Sequence, residues 1–206
     1  MVVINPGGTI ADRSILAGKL ADTARGDGGV AWGPTDSGGR PAISETFSRI
    51  NSVTTDSAIL ASGQLFLIAG GIAPEDRPLT AITLESGATA AVGLANQWFS
   101  IVRMSDLAVL AKTVDDGATA WGVNAPKTLL LSAQFTPTVD TPFYFGIVIV
   151  ATTPPSLRSI QSNVNINDDP PIVAGQSTAG LTNPASLGPN AGALTAVAPI
   201  PYAFVS

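Results

Sequence analysis

Oxygen-bearing side chains are the main source of chemistry in this sequence. It contains neither histidine nor cysteine, so Ser-His-Asp and Cys-His catalysis in their common forms are excluded. Disulfides and metal sites built on imidazole or thiolate are excluded with them. Carboxylates remain as candidate acids and bases. They stand in two doublets, Asp115-Asp116 beside Gly117 and Asp168-Asp169 before Pro170. Paired carboxylates are what glycoside hydrolysis requires, and carboxylates with amide oxygens suit calcium. Asn165 and Asn167 would complete such an oxygen set with Asp168 and Asp169, although the spacing is not that of an EF-hand. Against both readings, adjacent Asp residues beside Gly or Pro are ordinary turn formers. The spacing favours turns, and no metal or cofactor is expected.

Aromatic rings are the other candidate binding groups, because they stack on sugar faces when displayed. Trp98 and Trp121 have apolar neighbours in the strand pattern and read as core. Tyr144 and Tyr202 are more open, since a phenol can reach solvent at a strand end. The candidate binding residues are therefore Asp115, Asp116, Tyr144, Asn165 and Asn167. Arg25-Gly26-Asp27 spells an integrin tripeptide, but three residues arise often by chance and it is assigned no function; Gly26, Gly28 and Gly29 form no phosphate loop, because no Lys-Ser or Lys-Thr follows.

Short strands must position these residues. The spacing of apolar residues predicts strands over Leu65–Ile72, Leu79–Glu85, Gln97–Met104, Ala108–Thr113, Ala118–Gly122, Lys127–Ser132 and Phe143–Ala151. Leu157–Ile166 reads as a final edge strand. Trp98, Val102 and Met104 fall on one face of their strand and Phe99 and Ile101 on the other, so both faces are expected to be covered. Phe143–Ala151, the most continuous apolar run, is expected at the centre of its sheet. Residues 1–57 differ: a short helix over Ile10–Ala21, a Gly-rich stretch, and one helical turn over Ser44–Ile50. The expected organisation is a mainly β chain, with an extended or short-helical N-terminal arm over 1–57. An antiparallel, jelly-roll-like β-sandwich then spans 58–206, closed by an irregular wrap from Asp168.

Charged residues are 12% of the 206 and the formal net charge is −5. That is about half the usual charged share, and it suggests surface buried against other chains. Ten scattered Lys and Arg residues leave no footprint for phosphate, so no nucleic-acid partner is expected. The start, Met1-Val2-Val3-Ile4-Asn5-Pro6, lacks the basic and long apolar regions of an export signal. Phe143–Ala151 is far shorter than the roughly 20 residues of a membrane helix, so no membrane insertion is expected.

Several segments fit one family pattern. Gln97-Trp98-Phe99 leads through a turn to Leu107–Asp115, and Ala120-Trp121 follows the acidic turn. The Lys127–Ser132 strand comes next. Phe143–Leu157 then carries Gly146 and Ala151-Thr152-Thr153-Pro154, and the sequence closes on Pro201-Tyr202-Ala203-Phe204-Val205-Ser206. From about residue 60 to 206 the chain resembles virion proteins of tailed phages that infect actinobacteria, the minor tail, tail-fibre and head-fibre proteins. The resemblance implies a non-enzymatic, jelly-roll-like homotrimer in the virion, made in the host cytoplasm and released by lysis. Residues 1–57, outside the resemblance, are expected to anchor it to other virion proteins. Two roles stay open: host attachment, with a cell-surface glycan as the receptor class, or a stabilising head-fibre or capsid-decoration role. A carbohydrate-binding module is the alternative of another class.

Overall fold

Among the residues described, thirteen strands make up the regular structure of the computed structural model. It describes residues 44–45, 55–72, 78–117, 119–138, 142–161, 174–180, 194–197 and 199–205. In chain order the strands are β1 (Ser44–Glu45), β2 (Thr55–Ile59), β3 (Gln64–Ile72), β4 (Leu79–Glu85), β5 (Val92–Arg103), β6 (Val109–Lys112), β7 (Pro126–Phe135), β8 (Pro142–Thr153), β9 (Ser156–Gln161), β10 (Ala174–Gly180), β11 (Leu194–Ala196), β12 (Pro199–Pro201) and β13 (Ala203–Val205). They form three sheets, ordered β11-β10-β3-β8-β5-β6, β1-β13-β4-β7 and β12-β9-β2. Every strand pairing is antiparallel. The chain is mainly β, and no helix occurs among the described residues.

Period-two alternation explains the two cores. On β5 and β8, Phe99, Ile101, Phe143, Phe145, Ile147 and Ile149 point to one side of the six-stranded sheet. There they meet Ile82, Leu84 and Leu129 of the four-stranded sheet and Leu157 and Ile200 of the three-stranded one. Trp98, Val102, Tyr144 and Val148 point the other way, onto Leu65 and Leu67, with Met104 beside them. The expected two-faced burial of the Trp98 strand is what the fold contains. β8 lies between β3 and β5, at the centre of its sheet as its apolar run predicts.

Three expectations need correction. Ser44–Glu45 is extended and pairs with Val205 and Phe204, in place of the start of a helical turn. Thr119–Gly122 is not a strand, because its carbonyl at Thr119 and the indole of Trp121 bond to side chains instead of a ladder. β9 is the middle strand of its sheet, not an edge. Its neighbours come from far along the chain, and one of them, Pro199-Ile200-Pro201, cannot be recognised by alternation. Prolines suit that strand, which occupies a sheet edge. The expected irregular wrap contains β10, β11 and β12, each of them paired. β2 runs across the 57/58 boundary expected between arm and sandwich. The remainder of 1–57, including the expected helix over Ile10–Ala21, lies outside the described residues.

Candidate functional site

Gln97 organises the acidic turn. It is an amide in the middle of an apolar strand, fully buried, so each of its polar atoms must find a partner. Its Nε2 donates to the carbonyl of Asp116 and, at 2.8 Å, to that of Thr119. Its Oε1 accepts from Trp121 Nε1. The Trp121 ring then meets Phe99 edge-on, with centroids 5.9 Å apart. One buried side chain thus holds both ends of the loop from Asp116 to Trp121.

The two carboxylates of this turn are also committed. Asp115 accepts from the Gln97 backbone N–H at 2.9 Å and from Asn96 Nδ2 at 2.5 Å. Asp116 accepts from Thr119 Oγ1 at 2.9 Å and from Lys127 Nζ at 2.8 Å. Lys127 is almost buried and also donates to the Thr119 carbonyl at 3.0 Å. This hydrogen bond from Lys127 holds the Asp116 carboxyl below the ordinary carboxylate range. Burial pulls the other way, and the Thr119 hydroxyl assists the lowering. A general acid needs the opposite shift, a carboxyl that keeps its proton near neutrality. Asp116 is an ion-pair partner, ionised wherever the protein is folded at neutral pH.

Gly117 lets this loop lie on the sheet. A Cβ there would fall inside van der Waals contact of the Ala95 carbonyl oxygen. The Asp116 N–H donates to the Gln97 carbonyl at 3.0 Å, which fastens the loop along β5.

The sequence candidates do not converge on one site. Asp115 and Asp116 are neighbours in the turn. Tyr144 lies on the opposite face of the six-stranded sheet, buried with Leu65, Leu67 and Trp98. Its ring is not displayed to solvent, because Val102 on β5 stands opposite it and both faces of β8 are covered. Asn165 and Asn167, with Asp168 and Asp169, lie outside the described residues. Among the described residues no group of three His, Cys, Asp or Glu side chains could hold a metal ion.

Sequence reasoning missed the residues that tie the turns down. Gln97 enters it only as a motif letter, yet an amide flanked by Trp98 and Phe99 in an apolar run is the signal of a buried polar hub. Ser86 is a second hub. It is fully buried, donates to the Gly122 carbonyl at 2.7 Å and accepts from the Ala125 N–H at 3.0 Å. Ser86 also bridges to Leu157, which links the four-stranded sheet to the three-stranded one. Asn124, in the same loop, adopts a φ of 50° and accepts from Arg158 at 2.6 Å. Asn tolerates that left-handed conformation better than most residues.

No protein-family model matches the chain, and no curated protein matches it in sequence.

Proposed function

We propose that this chain is a structural protein of a tailed-phage virion. In this reading the three sheets pack as a jelly-roll-like sandwich, assemble as a trimer and project from the particle, while the N-terminal segment anchors them. The sequence resemblance to minor tail, tail-fibre and head-fibre proteins supports it.

The observation that carries the reading is how the residues of that resemblance are used. Gln97, Trp121 and the acidic turn bond to one another, and Trp98, Phe99, Phe143 and Phe145 fill the interior. The shared pattern is a scaffold pattern with no reacting group in it. A carbohydrate-binding module that stacks rings on sugars is less favoured, since Trp98, Trp121, Tyr144 and Tyr202 are all buried. Host contact then belongs to loops on a rigid scaffold.

Particle assembly tests the anchor. Removing residues 1–43 leaves all thirteen strands in the chain. The truncated protein is expected to fold and to stay out of particles; incorporation at the full-length level would overturn the anchoring role. Labelled protein offered to intact actinobacterial cells separates the two virion roles. Saturable, strain-specific binding marks host attachment, and its absence in a folded trimer marks decoration.

A further inference from the structure

Asp116 is followed by Gly117, the one Asp-Gly pair among the described residues. Such a pair can modify itself. The Gly117 amide nitrogen can attack Asp116 Cγ, because glycine has no side chain to obstruct the approach. A C–N bond forms, and the carboxyl hydroxyl leaves as water with the amide hydrogen. The five-membered imide that results takes up one water molecule at either carbonyl, which restores aspartate or yields isoaspartate. The step needs no oxidant and no reactant other than water.

The fold fixes both members of the pair. A Cβ on residue 117 would collide with the Ala95 carbonyl oxygen, so only glycine fits there. Asp116 is fixed by its partners: Oδ1 accepts from Thr119 Oγ1 at 2.9 Å and Oδ2 from Lys127 Nζ at 2.8 Å. Its backbone is held as well. The N–H donates to the Gln97 carbonyl at 3.0 Å, and the carbonyl accepts from Gln97 Nε2. Ring closure turns the Asp116 side chain and main chain together, so these bonds must open first. It also requires a proton on the carboxyl, and the bond from Lys127 keeps that group ionised. Water nevertheless reaches the turn, since the Asp116 side chain is 27% exposed.

We propose that Asp116-Gly117 is a latent isomerisation site that Lys127, Thr119 and Gln97 hold closed, and that its conversion to isoaspartate unfastens the loop from Asp116 to Trp121. Isoaspartate carries an extra methylene in the main chain ahead of Gly117. Gly117 already lies against the Ala95 carbonyl with no room for one added carbon, so the lengthened chain must move off β5. The carboxylate moves to the α-carbon at the same time, which takes it away from Lys127 and Thr119. One covalent step thus removes the ion pair and lifts the loop. The competing account is that these bonds only stabilise the turn and leave the pair as reactive as in a free peptide.

The test incubates the full chain for weeks in warm neutral buffer beside the peptide Val-Asp-Asp-Gly-Ala-Thr-Ala, which has the same local chemistry without the tethers. Chymotryptic mapping with electron-transfer fragmentation distinguishes isoaspartate at 116 from aspartate, and from any formed at Asp27-Gly28, which lies outside the described residues. Isoaspartate at 116 is expected to form at least about tenfold more slowly in the chain than in the peptide, since a charge-assisted hydrogen bond must open before closure. Lys127→Met is expected to recover most of the peptide's rate. Thr119→Val, at an exposed position, is expected to keep the melting temperature and raise the rate several-fold, and it carries the test where Lys127→Met does not fold. The isomerised fraction is expected to melt below the unmodified chain. A chain that isomerises as fast as the peptide, or a slow rate that both variants leave unchanged, would overturn the protective role. An isomerised fraction that melts with the unmodified chain would overturn the release of the loop.

Discussion

Gln97 shows how a single residue determines whether the acidic turn is a site or a support. Replacing it with Ala strips partners from Trp121 Nε1 and from the Thr119 and Asp116 carbonyls. We expect Gln97→Ala to cost about 3 kcal/mol, since the buried Trp121 N–H would be left unpaired beside a cavity. Urea unfolding followed by Trp fluorescence measures it, and a loss under about 1 kcal/mol would mean that the hub is dispensable. Asp116 gives a pH signature. Its folded carboxyl is held below the ordinary value of 3.8. Its contribution to stability is therefore complete above that value and disappears as pH falls through the lower folded value. The gap in urea midpoint between the parent and Asp116→Asn should be open at neutral pH and close as pH falls through the lowered folded value. A gap that persists unchanged in acid would assign the effect to something other than the Lys127 pair.

At the scale of elements, β5 and β8 carry the fold. Ser100 on β5 stands opposite Gly146 on β8, buried, with no partner for its hydroxyl among the described residues. A Cβ on Gly146 would press on that hydroxyl, with Val102 Cγ2 at 3.2 Å and Leu65 Cδ1 at 3.4 Å also close. Gly146→Ala is expected to destabilise by about 1–3 kcal/mol through overpacking. Ser100→Ala removes an unsatisfied hydroxyl and should be neutral or slightly stabilising. The double variant should lose less than Gly146→Ala alone, because the nearest obstruction has gone. Chemical denaturation of the four proteins closes the cycle, and strict additivity would contradict the packing argument. These strands were legible because their apolar residues alternate or run continuously. β9 and β12 were not legible as sheet partners, since Pro199-Ile200-Pro201 has no alternation to read and its partner lies some forty residues earlier in the chain. The acidic turn was legible as a turn. Its tether was not, because hydrogen bonds from Gln97 across to Thr119 leave no spacing signal in a sequence.

At the scale of the whole molecule, the N-terminal segment and the sheets are not separable where composition changes. β1 pairs with β13 and β2 with β9, so strands before residue 60 complete sheets built from the C-terminal end. Removing residues 1–57 deletes β1 and cuts into β2. That truncation is expected to melt about 5 °C or more below one lacking only 1–43. Equal melting temperatures would show that β1 and β2 add little. The same architecture suits a display scaffold: long-range strand pairings, two apolar faces on one sheet, and turns fixed by buried amide and hydroxyl groups. The most direct test of the virion role is mass spectrometry of phage particles purified on a density gradient from a lysate of the source culture. The account predicts this chain in the particle band, at several copies per particle and in constant ratio to the major structural proteins. Its absence from the particles, with the chain recovered only in the soluble fraction, would contradict the account.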